Sequence, residues 1–370
     1  MVRDHTPPTA PFHLIHEIPP DPMRSRLTRW IPPDPMKGVP MPHFRTPLHR
    51  RRALLTGSLA LTGALALTAC GSSDSDGDGT AAGSGETRTV KTAMGDVSVP
   101  VNPRRVVVLD TAELDSAITL GVKPVGSTHV EASSGFPGYL PKEEVSGIKD
   151  VGEMMTPNME AVAALKPDLI LTSKIRHAAK YDQLRAIAPT VMTETTGYPW
   201  KENFQVHADA LGKRAEAKKV VADYTAHTKK VTKAIGGPAK AEQTMVNVLR
   251  FIEGADIRLY GDRSYIATLL KDVGLGRAPI SAKAKDGFSY DLSPEKIDLA
   301  DTDVIFRSTY GDPKKSKETQ TVGSGLWKNM KAVKSGNVHT VDDELWIQGI
   351  GYTAADRILD EMQADLTKKK

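Results

Sequence analysis

Three arginines follow apolar, mostly β-branched runs. Met245–Leu249 leads into Arg250-Phe251, Val304–Phe306 leads into Arg307 with Tyr310 close by, and Leu169–Ser173 is followed by Lys174, Arg176, His177 and Tyr181. A fourth run, Val338–Val341, opens into Asp342-Asp343-Glu344-Leu345-Trp346. In open parallel sheets a ligand lies beyond the carboxyl ends of the strands, so these residues are expected to converge on one edge. Guanidinium groups offer donors in a planar fork that matches paired oxygens. Phe251, Tyr310 and Trp346 offer flat apolar wall. The chemistry is recognition of an oxygen-rich ligand, and Arg250 and Arg307 lead it because both end apolar strands. Arg176 comes next. The competing role for each arginine is a surface ion pair. Trp200 and Trp327 fall in helical patterns and read as core.

Nothing in the chain assembles a catalytic centre. There is no G-x-S-x-G elbow, no H-E-x-x-H and no phosphate loop, so an exported enzyme such as an esterase is the weaker reading. The histidines beyond residue 70 are His129, His177, His207, His227 and His339, scattered singly, and there is one cysteine in 370 residues. A thiolate metal centre and an internal disulfide are excluded, and a free-metal site of converging histidines is not indicated. The net charge of +4 belongs to the first 69 residues, which hold nine Lys/Arg against four Asp/Glu. The remainder is close to neutral, which gives no footprint for nucleic acid.

The elements that must position the arginines alternate between strand and helix. Arg105–Asp110 reads as a buried strand, Leu114–Leu120 as a helix closed by Gly121, Asn158 as the cap of a helix that carries Val162 and Leu165 inward, and Asp168–Thr172 as the next strand. The second half repeats the order. Met245–Arg250 is a strand, Tyr265–Leu270 a helix leading to Gly274, Ser293-Pro294 a helix start and Asp303–Phe306 a strand. In both halves a glutamate precedes the aspartate by eight residues, as Glu160/Asp168 and Glu295/Asp303. Between the halves, Ala217, Val220, Val221, Tyr224, Thr228, Val231 and Ile235 recur at steps of three and four, the spacing of one helical face. The fold class is therefore α/β, with two Rossmann-like lobes of mainly parallel sheets joined by one long rigid helix. The lobes are placed at 89–212 and 237–370, with the linker helix over 213–236.

The first 88 residues read as an address and a tether. Ile18-Pro-Pro-Asp-Pro-Met23 recurs as Ile31-Pro-Pro-Asp-Pro-Met36 in a Pro-rich stretch expected to be disordered, and translation is expected to start nearer Met41. Arg50-Arg51-Arg52, an uncharged run to Ala69 and then Leu67-Thr68-Ala69-Cys70 form a secretory signal. The tetrapeptide resembles the bacterial lipobox, in which the cysteine is lipidated, and Arg51-Arg52 also fits a twin-arginine signal. Residues 70–88 are a Gly/Ser/Asp tether.

Asn102–Asp110 (NPRRVVVLD), Leu120–Gly126 (LGVKPVG), Pro157–Ile170 (PNMEAVAALKPDLI) and Leu326–Trp346 (LWKNMKAVKSGNVHTVDDELW) together resemble the ferric-siderophore substrate-binding lipoproteins of bacterial ABC importers. That class also includes haem and cobalamin binders. The resemblance runs from about Val90 to Leu366. It implies a non-enzymatic, monomeric protein with no cofactor, anchored outside the cell membrane through lipidated Cys70. Its ligand would be a ferric siderophore that fills the iron coordination sphere itself, so that Arg176, Arg250, Phe251, Arg307, Tyr310 and Trp346 contact the chelate and not the metal. Delivery would be to an ABC permease with a cytoplasmic ATPase. Glu160 and Glu295 match the acidic residue of each lobe that docks on permease arginines. Arginine donors in a near-neutral chain favour a neutral or cationic hydroxamate over a strongly anionic catecholate, with haem, cobalamin or another ferric chelate as alternatives.

Overall fold

The computed structural model describes residues 86–130 and 135–368, which lie in one compact unit. Cys70, the repeat and the tether up to residue 85 lie outside the described residues. The described chain opens with an antiparallel hairpin, β1 (Thr87–Thr92) and β2 (Gly95–Pro100). Arg88 fastens it to the first half of the chain, donating to the carbonyls of Val101, Asp209 and Ala210.

Five strands then form a wholly parallel sheet. They are β3 (Val106–Val108), β4 (Gly126–His129), β5 (Lys149–Glu153), β6 (Leu169–Ser173) and β7 (Thr190–Thr193), in the order β5-β4-β3-β6-β7. The run of valines in β3 is fully buried, as a strand covered by helices on both faces requires. The helix over Met159–Ala164 starts where expected, with Asn158 Oδ1 accepting from Ala161 N at 3.0 Å.

The second sheet is mixed. It comprises β8 (Met245–Ile252), β9 (Ile257–Tyr260), β10 (Gly276–Arg277), β11 (Ser289–Leu292), β12 (Val304–Tyr310) and β13 (Val338–Thr340), along the path β11-β9-β8-β12-β13, with β10 also on β8. Pairing of β8, β12 and β13 is parallel, whereas β9 runs antiparallel to β8 and pairs antiparallel with β11. Those two short strands carry no long apolar run, and their sequence signal is correspondingly weak. Ser293 and Pro294 begin a helical turn as expected, but it is a 3-10 segment over Pro294–Ala300 broken at Lys296, and the Ser293 hydroxyl makes no capping bond.

The echo between the halves has a structural cause. Asp168, before β6, accepts from the backbone N–H groups of Arg104 and Arg105 at 2.8 and 2.9 Å and so pins the start of β3. Asp303, before β12, accepts from Met245 N at 2.9 Å and pins the start of β8. In each half a carboxylate at the foot of one parallel strand fixes its neighbour in register.

The linker is one helix, Arg214–Ala234. At 1.5 Å per residue its axis is about 32 Å long. Ala217, Tyr224, Thr228 and Val231 are buried, Val220, Val221 and Ile235 pack partly, and Lys218, Lys219, Asp223, Lys229, Lys230 and Lys233 are exposed. Gly212 ends the preceding helix in the left-handed conformation (φ 73°), and Gly236 and Gly237 (φ 109° and 87°) end this one. Trp200 and Trp327 are both core. Trp200 meets Tyr224 of the linker, Tyr265 and Tyr352 at centroid distances of 4.6–5.7 Å, and its indole N–H donates to Thr268 Oγ1 at 2.7 Å.

Candidate functional site

A cavity of about 390 Å³ opens between the two sheets. The first half of the chain supplies Thr111, Met154, Arg176 and Gly197 to its wall. The second half supplies Arg250, Arg258, Tyr260, Phe288, Tyr310 and Gln348, among others.

Arg250 lies near the end of β8, and its side chain turns to Asp343. Nε and Nη2 donate to the two carboxylate oxygens at 2.7 and 2.5 Å. Its guanidinium carbon lies 4.6 Å from the Tyr310 ring centre, a cation–π contact. Burial works against the charge, but the bonds to Asp343 outweigh it and hold the guanidinium pKa above its ordinary value. Asp343 is itself buried and also accepts from Ser308 Oγ at 2.9 Å and Gln348 Nε2 at 2.8 Å.

The opposite wall is built the same way. Arg176 Nε donates to Asp110 Oδ2 at 2.8 Å, and Asp110 is buried just past the end of β3. The other oxygen of Asp110 accepts from Thr111 N at 2.6 Å, capping the helix Thr111–Thr119. Burial again opposes the Arg176 charge, and Asp110 again reverses the effect, so its pKa is raised.

Four of the six residues expected at the ligand edge border this cavity: Arg176, Arg250, Tyr310 and Trp346. Trp346 is fully buried there. It stacks on Phe306 at 4.6 Å and donates from Nε1 to Glu361, so it forms floor more than exposed wall. The other two do not line it. Phe251 is 0% exposed and packs on Trp327 behind the sheet, at 6.3 Å between ring centres. Arg307 pairs with Glu318, which also accepts from Thr309 Oγ1. Both placements have one cause. Successive side chains of a strand alternate between faces. Arg250 pairs with Ser308 across β8 and β12, so Phe251 with Thr309, and Leu249 with Arg307, belong to the face away from the cleft.

His177, flagged beside Arg176, is buried between Thr172 Oγ1 (2.6 Å) and the Met154 carbonyl (2.8 Å). Burial lowers its pKa. Glu160 and Glu295 are both exposed in the first turns of their segments.

Sequence reasoning missed Asp110, Tyr260, Arg258 and Phe288. Asp110 lies two residues past the end of β3, within reach of the strand-end rule. Arg258 and Tyr260 lie on antiparallel β9, where that rule does not apply. Among the described residues, no group of three or more His, Cys, Asp or Glu side chains is placed to hold a metal ion.

Two lobes, a spanning helix and a cleft of paired arginines and aromatic rings define a substrate-binding protein, and the comparisons agree. Residues 106–345 match the periplasmic binding protein family, and the chain belongs to that family of binding proteins. It is 39% identical over 313 residues to the probable siderophore-binding lipoprotein YfiY of Bacillus subtilis (strain 168), covering 82% of this chain and 94% of the relative. Among solved structures it is similar to Staphylococcus aureus SirA complexed with staphyloferrin B (32% identity, TM-score 0.68, 76% of this chain and 98% of that one). It is also similar to the triscatecholate siderophore-binding protein FeuA of Bacillus subtilis complexed with ferri-bacillibactin (26% identity, TM-score 0.64, 76% and 98%).

Proposed function

We propose that this chain is the lipid-anchored binding component of an ABC importer, and that it captures a ferric siderophore of the hydroxamate type in the cleft between its lobes. The observation that carries the reading is the cleft itself, with Arg176 on one wall and Arg250 stacked on Tyr310 on the other. Guanidinium N–H groups donate to the chelate oxygens, and Tyr260, Tyr310 and Phe288 pack on its linkers. The chelate supplies all the iron ligands. The relatives named above support a siderophore as the cargo, and the arginine–carboxylate pairing supports one without strong negative charge. Lobes over 89–212 and 237–370 flank the linker at 213–236, the mature protein is a monomer held at the outer membrane face by lipidated Cys70, and Glu160 and Glu295 meet arginines of the permease.

Intrinsic tryptophan fluorescence of the soluble form, titrated with ferric hydroxamate, catecholate and citrate chelates and with haem and cobalamin, tests the reading. Saturable quenching by a ferric trihydroxamate is expected. Quenching by haem or cobalamin alone would overturn the cargo assignment.

A further inference from the structure

Two of the cleft arginines, Arg250 and Arg176, are each met from behind by a buried aspartate. Asp343 accepts four hydrogen bonds, two from Arg250 and one each from Ser308 and Gln348. Asp110 accepts from Arg176, from Thr111 N and from Thr111 Oγ1. Side-chain exposure is 9% for Asp343 and 0% for Asp110. Donors on both oxygens fix each carboxylate in place against its arginine. The carboxylates therefore cancel the arginine charges without themselves facing the ligand. Arg258 differs, since its nearest carboxylate, Asp291 at 3.6 Å, is exposed. At Arg250 and Arg176 the wall thus offers N–H donors while carrying little net positive charge.

We propose that Asp343 and Asp110 are specificity-determining residues that set the charge class of the ligand. They orient Arg250 and Arg176 for hydrogen bonding, and they deny a polyanionic chelate the uncompensated positive field that would attract it. A neutral or cationic ferric chelate loses nothing by this, whereas a trianionic one loses an attractive interaction with each missing unit of charge. The inference rests on the ligand-binding reading above and names the feature of the site that selects within that class.

The test compares Asp343→Asn and Asp110→Asn with the parent chain. The readout is the ratio of dissociation constants for ferrioxamine B and for a trianionic ferric tris-catecholate, measured at low and moderate salt. At position 343 the amide oxygen still serves Arg250 Nε and Ser308, and Gln348 can turn its own amide to match the new N–H group. The expected result is a shift of the ratio toward the anion on the order of tenfold at low salt, shrinking as salt rises. A purely structural role would weaken both ligands alike. An unchanged ratio in the folded variants, verified by circular dichroism, overturns the charge assignment while leaving the binding reading intact. If one variant fails to fold, the other, on the opposite wall, decides. Failure of the parent chain to bind either chelate would instead sink the binding reading, and this inference with it.

Discussion

Arg250 and Phe251 are adjacent in sequence and opposite in role, because a strand turns them to different faces. Arg250 stands in the cleft wall against Asp343 and Tyr310, while Phe251 fills the core behind. Substitution should separate them. Phe251→Ala should cost about 3–5 kcal/mol of stability through cavity formation, leaving chelate affinity in the surviving folded fraction unchanged. Arg250→Ala should weaken chelate binding by about 10- to 100-fold, the value of a charge-assisted hydrogen bond. Arg307→Ala should leave affinity unchanged, because Arg307 faces Glu318 on the far side. Paired denaturation and titration curves check all three, and an affinity loss for Arg307→Ala equal to that for Arg250→Ala would contradict the facing. The strand ends, and hence the arginines, were legible because apolar β-branched runs mark buried strands. Which of the arginines faces the cleft was not. That depends on the register of β8 against β12, a tertiary pairing of residues more than fifty positions apart.

At the scale of elements, the informative joint lies between the helix Thr111–Thr119 and the C-terminal helix Tyr352–Thr367. The latter begins after Gly351, which has no side chain to cap it. Asp115 of the first helix supplies the cap across the lobes, accepting from Thr353 N at 3.1 Å and Ala354 N at 3.0 Å. Gly351 is required here, since a Cβ would sit 2.0 Å from Asp115 Oδ1. The linker was readable from its periodicity, but the C-terminal helix was not read from the sequence, and a cap delivered from a residue 238 positions away leaves no local pattern. Burial pushes the Asp115 carboxyl up to about 6 despite those donors. A folded-state pKa above the unfolded value means that the group's stabilising contribution is full below about pH 4 and is lost as pH rises through 6. The ionised form then costs about 3 kcal/mol at neutral pH relative to the acid end. Asn at position 115 does not titrate. The stability difference between parent and Asp115→Asn should therefore fall by about that amount between pH 4 and pH 7, as measured by denaturant melts across the range. A difference that stays flat would show that burial does not perturb this carboxyl.

For the whole molecule, the question is how far the lobes move when the cleft fills. The linker helix is not the sole bridge. Trp200 of the first half is locked among Tyr224, Tyr265 and Tyr352, and Asp272 of the second half takes Lys201 and the Tyr224 hydroxyl together. Thr111 Oγ1 donates to the Gln348 carbonyl at 2.9 Å beside the cleft, and Thr119 meets Thr353 at 2.7 Å below it. Wide opening would break these half-buried bonds and the ring contacts together, whereas a slight tilt strains each only a little. Proteins that close like a clamshell do so about a few loop residues that absorb large backbone changes. Here the crossing is a continuous packed helix, reinforced by the caps and ring contacts on both sides. Ligand-free and chelate-saturated small-angle scattering profiles should therefore superimpose, with the same radius of gyration within error. A clear compaction on loading would refute the rigid joint. If the profiles do superimpose, the exposed Glu160 and Glu295 keep nearly the same spacing in either state.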